Sequence, residues 1–351
     1  MIKISVPLTH KGYEILIGEN IMKELSRISQ LGNYEKVIVV SDENIWGLHG
    51  DTLSSALKEA AIPFTSQIIP PGEEAKNLSM LEHLYESFSE AHLDRNDLII
   101  AFGGGVIGDL AGFAAATWMR GLDFIQIPTT LLAQVDSAIG GKTAINMKSG
   151  KNLIGAFHQP RLVLSEMSFL KTLPSREIKC GIAEMVKYGA ILSKKMIDLL
   201  KEPIDKLSLP HLIADCCSLK SHVVTEDEKD KGRRMILNFG HTFGHAVEKL
   251  GNYSRYNHGE AVAIGMVIAA AFGEKTGITK KGCRDYIKQI LSAQGIESHC
   301  PYSFKQIGDA MAGDKKSRGK GIDLILLQDI GEATIVNYPL ELIKQTLSEV
   351  I

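Results

Sequence analysis

The sequence predicts an α/β domain built on a parallel sheet, followed by an all-α domain, with the boundary near residue 160. Three observations carry this. Short apolar runs alternate with amphipathic stretches through the first half. Glycine turns stand directly between strand-like and helix-like segments. From about Leu162 onward, apolar residues recur at spacings of three and four. A strand–helix–strand–helix rhythm implies a parallel sheet covered on both faces, whereas the longer period implies helices.

The N-terminal "MIKISVPLTHKGYEILIG" alternates and carries charges, so it reads as a strand pair rather than a signal peptide. "KVIVVSD" (36–42) is a short buried strand, and "DTLSSALKEAAI" (51–62) an amphipathic helix. "FTSQIIPPGEEAK" runs from strand into turn, and "SMLEHLYESFSEAHL" (79–93) is a second helix. "DLIIAFGGGVIGDLAGFAAATW" is strand, glycine loop and helix, a pattern "DFIQIPTTLLAQVDS" repeats. Beyond the boundary, "PSREIKCGIAEMVKYGAILS", "PHLIADCCSLKSHVVTEDE", "HTFGHAVEKL" and "GEAVAIGMVIAAAF" are expected helices. The domains are thus 1–160 and 161–351. With no repeats and no low-complexity linker, they are expected to pack tightly, with a cleft between them.

The chain has 351 residues, 44% of them hydrophobic, and a formal charge of -2. This composition suits a soluble globular protein, and near-neutrality argues against nucleic-acid binding. Five cysteines (180, 216, 217, 283 and 300) form no CxxC pair, which fits reduced thiols in a cytoplasmic protein. The longest apolar run starts at Ala261 and is shorter than the roughly 20 residues a bilayer requires, so it reads as a buried helix.

"GGGVIG" (103–108) satisfies G-x-G-x-x-G between a strand and a helix. Backbone amides there, unobstructed by side chains, can cradle a pyrophosphate; a ligand-free tight turn is the alternative. The turn lies about a hundred residues in, outside the first βα unit where the usual dinucleotide fingerprint sits. "DSAIGGKTA" (136–144) imitates a nucleotide-triphosphate loop, but Asp136 stands where its first glycine belongs and would repel phosphate. Lys142 remains a cation suited to one phosphate or to a nicotinamide cofactor.

In "ILNFGHTFGHAVE", His241 and His245 lie four apart, on one face if the segment is helical. His258 follows, and Glu184 is an acid within an apolar helix, where an unpaired carboxylate is costly. Two imidazoles and a carboxylate form a normal catalytic Zn2+ set with an open position. Spacing leaves open whether His245 or Glu184 is the third ligand, and histidines that merely cap helices are the alternative. The glycines before each histidine let another backbone or a ligand approach closely. Lys187, Lys220, Arg234, Lys315 and Lys316 recur in or beside these segments, which suggests a doubly anionic substrate. Lys187 lies three residues from Glu184, and Arg234 is expected on one face with Asn238 and His241.

"PPGEEAKN", "AFGGGVIGDLAGFAAATWMRG", "IPTTLLAQVDSAIGGKTAIN", "GKNLIGAFHQP", "FLKTLPSREIKCGIAEMVKYG", "DEKDKGRRMILNFGHTFGHAVE", "NHGEAVAIGM" and "GDKK" occur in that order. On these motifs the sequence resembles the 3-dehydroquinate synthase family over nearly its whole length. The resemblance implies a Rossmann-like N-terminal domain and a helical C-terminal domain, with NAD and a divalent metal, Zn2+ or Co2+, in the cleft. It implies metal ligation by Glu184, His241 and His258, which makes His245 a substrate or proton-relay residue.

It implies NAD contacts from Asp42, the turn Pro71, Gly72, Glu73, Glu74, Ala75 and Lys76, and Gly104, Gly105, Val106, Ile107, Gly108 and Asp109. Further contacts are implied from Thr129, Thr130, Lys142, Lys151, Phe169, Leu170, Lys171 and Thr172. Asp136, Lys142, Asn152, Lys187, Lys220, Arg234, Asn238, His245 and Lys315 are implied around the substrate. Arg120 is implied at a neighbouring subunit's phosphate site, hence a homodimer.

The implied reaction converts 3-deoxy-D-arabino-heptulosonate 7-phosphate, a phosphorylated sugar acid, into 3-dehydroquinate and phosphate. Transient oxidation at C5 acidifies the neighbouring C–H, and the departing phosphate can remove that proton itself. Re-reduction, ring opening and an aldol closure follow. Rival expectations are another sugar-phosphate cyclase, disfavoured by Lys220, Asn238 and His245; a polyol dehydrogenase, which would release NADH; and a non-catalytic nucleotide- or metal-binding protein.

Overall fold

The computed structural model describes residues 1–312 and 321–349. Its strands are β1 (Ile2–Val6), β2 (Tyr13–Gly18), β3 (Val37–Asp42), β4 (Phe64–Ile69), β5 (Leu98–Gly103), β6 (Asp123–Pro128), β7 (Lys142–Met147), β8 (Gly150–Phe157) and β9 (Leu162–Glu166). Runs such as Val37-Ile38-Val39-Val40 and Leu98-Ile99-Ile100 are buried at every position, as strands covered on both faces require. Ile38, Val40 and Ile99 meet Leu84, Phe88 and Leu110 on one face. Val37, Val39 and Ile100 meet Leu53 and Leu57 on the other. Each such buried side chain contributes about 1.5–3 kcal/mol.

Seven strands form one sheet in the order β1-β2-β9-β6-β5-β3-β4, parallel except for β1 at the edge. The chain leaves β3 to place β4 on one side, then returns to place β5 on the other. The carboxyl ends of β3 and β5 therefore flank a crevice, the usual ligand position in open α/β sheets.

Several elements differ from the expectation. The helix Glu43–Glu59 begins before residue 51, because the Asp42 carboxylate accepts from the amides of Asn44 and Ile45, both at 3.0 Å. After β6, the expected helix is mainly a π-helical turn, Ala133–Ser137, held by Gln134 donating to the carbonyls of Pro128 (3.1 Å) and Glu166 (3.2 Å). β7 and β8 form an unforeseen antiparallel hairpin. β9 lies past residue 160 yet pairs with β2 and β6, which extends the sheet-bearing unit.

Two compact units result: Met1–Ile178 with Lys220–Lys229, and Lys179–Leu219 with Asp230–Ile351. The second unit is helical but not all-α, since β10 (Ile322–Asp329) and β11 (Glu332–Tyr338) form a hairpin. The run from Ala261 forms most of helix His258–Thr276, buried along nearly its whole length. Asn257 and Glu260 close its start with a capping box, and Gly277 (φ 76) ends it. Among the described residues, no helix is long and apolar enough to cross a membrane.

Candidate active site

In the first unit, the residues implied for NAD lie mostly just past the carboxyl ends of adjacent parallel strands. Asp42 ends β3, the turn 71–76 follows β4, and residues 104–109 follow β5. Thr129 and Thr130 follow β6, and residues 169–172 follow β9. A Cβ on Gly104 would lie 3.0 Å from Thr130 Cγ2, and one on Gly105 3.0 Å from Ser137 Oγ. Gly108 acts differently, since a Cβ there would meet Gln126 on β6 at 2.6 Å; this glycine seats the helix against the sheet. Thr129 Oγ1 and Ser137 Oγ are buried beside the turn without a hydrogen-bond partner among the described residues. Glycine cradle and unsatisfied hydroxyls together fit a polar ligand such as the pyrophosphate of NAD.

A buried ammonium ties this region together. Lys76 donates to Asp109 Oδ2 (2.5 Å) and to Asn152 Oδ1 (2.6 Å). Burial pushes the Asp109 carboxyl above its usual range, against the pull of Lys76. Asn146, to which the sequence motifs assign no role, donates to Glu73 Oε1 (2.7 Å) and accepts from the Asn152 amide (2.9 Å). Asn146 thereby docks the turn 71–76 on the β7–β8 hairpin. Lys220, in the short segment belonging to this unit, donates to the Asp136 carbonyl at 2.8 Å and pairs with the Asp136 carboxylate.

Gly140 (φ 88) and Gly141 (φ 66) carry the chain into β7 rather than into a helix, so no triphosphate loop forms around Lys142. Lys142 and Lys151 are exposed on the hairpin, whereas Phe169 and Leu170 commit their side chains to the core. Thr172 is anchored by His49, whose Nε2 lies 2.7 Å from Thr172 Oγ1. Arg120 is exposed on a turn where Met119 (φ 48), Arg120 (φ 67) and Gly121 (φ 123) are all left-handed.

In the second unit, two helices cross in backbone contact. A Cβ on Gly265 would lie 2.0 Å from the Gly240 carbonyl oxygen, and one on Gly244 3.0 Å from that of Ala261. Gly240 is also left-handed (φ 80) and starts helix His241–Leu250. Gly259 abuts Cys180, whose Sγ accepts the Gly259 amide at 3.1 Å. These close approaches bring the imidazoles of His241 and His258 to ring centroids 5.1 Å apart.

Glu184 is fully buried on helix Ser175–Leu192, with its Oε1 3.6 Å from His258 Nε2 and 4.0 Å from His241 Nε2. Among the described residues, neither Glu184 oxygen has a hydrogen bond of good geometry, although Lys187, one turn on, forms an ion pair with Oε2. One ligand atom from each of Glu184, His241 and His258 lies within 4.8 Å of the others. His241 Nδ1 faces the Phe239 carbonyl at 3.2 Å, and His258 Nδ1 faces Glu248 Oε1 at 3.6 Å, which leaves both Nε2 atoms toward Glu184. Burial drives the His241 pKa well down, helped by Lys187, so this imidazole is neutral at pH 7. For His258 burial acts the same way, but the Glu248 and Glu184 carboxylates outweigh it and raise the pKa. Two imidazole nitrogens and a carboxylate oxygen converging in this way fit a divalent cation.

His245 is more exposed, with its ring centroid 5.7 Å from that of His241. Arg234 and Asn238 lie on a separate 3-10 turn, Arg233–Asn238, and the left-handed Gly240 then redirects the chain. They therefore do not share a helical face with His241, which corrects the expectation from spacing. Arg234 is 1% exposed, a cation placed in the interior. Lys315 and Lys316 lie outside the described residues.

A parallel-sheet unit joined in one chain to a helical unit is a fold this chain shares with the sugar-phosphate cyclases. A solved 2-deoxy-scyllo-inosose synthase, complexed with carbaglucose-6-phosphate, NAD+ and Co2+, matches with a TM-score of 0.90 at 26% identity over 100% of both chains. Within that class, the chain belongs to the 3-dehydroquinate synthase family. The model for the N-terminal part of 3-dehydroquinate synthase matches residues 66–180, and that for the C-terminal part matches 181–317. The two segments meet close to the division after Ile178. The 3-dehydroquinate synthase of Clostridium acetobutylicum is 42% identical over 95% of each chain. That of Nostoc punctiforme is 42% identical over 98% of each.

Proposed function

We infer that this chain is a 3-dehydroquinate synthase, a carbon–oxygen lyase of the shikimate pathway. It converts 3-deoxy-D-arabino-heptulosonate 7-phosphate into 3-dehydroquinate and phosphate. The observation that carries this reading is 42% identity to curated 3-dehydroquinate synthases over 95% of the chain, across both units. Identity to the inosose synthase is only 26%, so the dehydroquinate activity is the better supported of the two.

In this reading Glu184, His241 and His258 hold Zn2+ or Co2+. NAD is held by Asp42, the turns 71–76 and 104–109, Thr129, Thr130, Lys142, Lys151 and the segment 169–172. When bound, the cation supplies Lewis acidity toward substrate oxygens, and the nicotinamide supplies a reversible hydride acceptor. His245, the more exposed imidazole beside the cluster, accepts the proton of the substrate's C5 hydroxyl. Lys187, Lys220, Arg234, Lys142 and Lys315 bind the carboxylate and phosphate, while Asp136, Asn152 and Asn238 hold hydroxyls. The buried cations Lys187 and Arg234 favour this role, since charge removed from water gains most from an anionic partner.

A homodimer in which Arg120 reaches the partner's phosphate is supported by the exposed, left-handed turn that presents it; such strain concentrates at functional sites. Five cysteines, none joined in a disulfide among the described residues, support a reducing cytoplasm. The test is phosphate release from the heptulosonate phosphate with catalytic NAD. Release without net NADH, abolished by chelation and restored by Zn2+ or Co2+, is expected. Accumulating NADH, or no phosphate, overturns the assignment.

A further inference from the structure

Helix His241–Leu250 carries His241, His245 and Glu248 at i, i+4 and i+7, on one face. Glu248 is 5% exposed, a costly place for a carboxylate that only packs. Its Oε1 lies 3.6 Å from His258 Nδ1, while His258 Nε2 lies 3.6 Å from Glu184 Oε1 on the other side of the ring. The His258 imidazole is thus suspended between two buried carboxylates. Its backbone is fixed as the first residue of a helix, by the Asn257–Glu260 capping box and by the Gly259 amide on Cys180. Only rotation of the ring and the choice of protonated nitrogen remain to be set.

We propose that Glu248 is the positioning residue for His258: its carboxylate accepts from Nδ1–H, keeps the proton on that nitrogen and so directs the Nε2 lone pair at the Glu184–His241 cluster. The proposal rests on the reading that Glu184, His241 and His258 hold a divalent cation. A carboxylate only accepts hydrogen bonds, so Nδ1 must carry the proton and Nε2 must be the donor atom. For His241 the same orienting role falls to the Phe239 carbonyl, which no side-chain substitution removes. Glu248 is therefore the orienting contact that can be altered singly. Outer partners of this kind change metal affinity by about 10- to 100-fold.

The experiment uses the full chain, stripped by chelation and titrated with Co2+ alone. Affinity is read by chelator competition, ligand geometry by the visible absorption of the bound ion, and stability by thermal unfolding of the stripped protein. Glu248→Ala is expected to weaken Co2+ binding about 10- to 100-fold and shift the absorption. Glu248→Gln, which keeps an acceptor but can also turn its amide nitrogen toward Nδ1, loses less. Both stripped variants are expected to unfold within a few degrees of the wild type. If Glu248→Ala does not fold, Glu248→Gln decides alone. Co2+ affinity within twofold of wild type with an unchanged spectrum overturns the proposal, as does a loss of affinity matched by lost stability of the stripped protein. Two Co2+ per wild-type chain would make Glu248 a ligand of a second ion with His245 and His258, and would also overturn it. A wild-type chain that binds no Co2+ removes the underlying metal reading instead.

Discussion

Both units use glycine at their proposed sites, for opposite reasons. In the turn 103–108, where NAD is proposed to bind, glycine leaves backbone amides at the end of a strand uncovered, and the neighbours its Cβ would meet are side chains: Thr130, Ser137, Gln126 and Ile107. At the crossing of helices His241–Leu250 and His258–Thr276, the neighbours of Gly244 and Gly265 are main-chain atoms, and those of Gly240 include them. The first site is made of backbone and follows from strand topology. The second is made of side chains, and its glycines only set how near the histidine-bearing helices come. The first should therefore bend under substitution, and the second should break.

Gly265→Ala is the sharpest test and carries the largest effect. Its methyl would lie 2.0 Å from a carbonyl oxygen and 2.7 Å from the Gly244 nitrogen, neither of which can rotate away. A stability loss of about 3 kcal/mol or more is expected, with loss of metal binding, read by urea unfolding and Co2+ titration. Glu184→Gln leaves the crossing intact but removes the anionic donor. Phosphate release should fall at least about a hundredfold, the upper range for lost partners around a metal, without a stability loss of the Gly265→Ala size.

In the first unit, the buried acid Glu166 is satisfied by backbone amides, unlike Glu184. It accepts the amides of Asn20 (3.2 Å), Ile21 (2.8 Å) and Ser168 (3.0 Å). Glu166→Ala should cost about 2–3 kcal/mol, as hydrogen bonds to a charged group do, measured by urea unfolding. Gly104→Ala pushes only on Thr130, a side chain that can rotate. About a tenfold weaker NAD affinity with an unchanged unfolding midpoint is expected by calorimetry, roughly 1.4 kcal/mol. Equal damage from Gly104→Ala and Gly265→Ala would erase the contrast.

The smallest effect concerns Asp123. Burial raises its pKa, but Lys11, Tyr34 and Arg161 outweigh this and hold it below the usual carboxylate range. A lowered folded pKa gives stability that is present above about pH 4 and disappears as the pH falls through the folded value. Because the group is partly exposed, the contribution is about 1 kcal/mol or less. Asp123→Asn should flatten the acid limb of a stability–pH curve by that amount.

The contrast also explains what is legible in the sequence. Strand–turn–helix grammar is local, so β3 to β6 and the residues at their carboxyl ends are visible in alternation and glycine placement. The convergence of Glu184 with His241 and His258 is tertiary; residue types suggest a metal set, but spacing cannot choose Glu184 over His245. In β7–β8 the glycines Gly150 and Gly155 interrupt a weak two-residue period, while β10 carries a continuous buried run, Leu324 to Leu327, which periodicity alone does not separate from a buried helix. Arg234 is misplaced by spacing because the left-handed Gly240 breaks a periodicity that looks continuous in the letters. Glu248 leaves one usable signal, an acid seven residues after His241 on the same face.

The residues proposed to hold NAD lie mostly at one rim of the sheet, which leaves the opposite rim without a proposed contact. The link Ala61 to Pro63, which feeds the amino end of β4, is largely solvent-facing, and Ala61 already holds φ 55. That rim is where the chain can absorb evolutionary or engineered insertions, such as a reporter or a fused neighbouring enzyme. Such a graft should leave catalysis untouched, because loop tips of this kind tolerate added sequence.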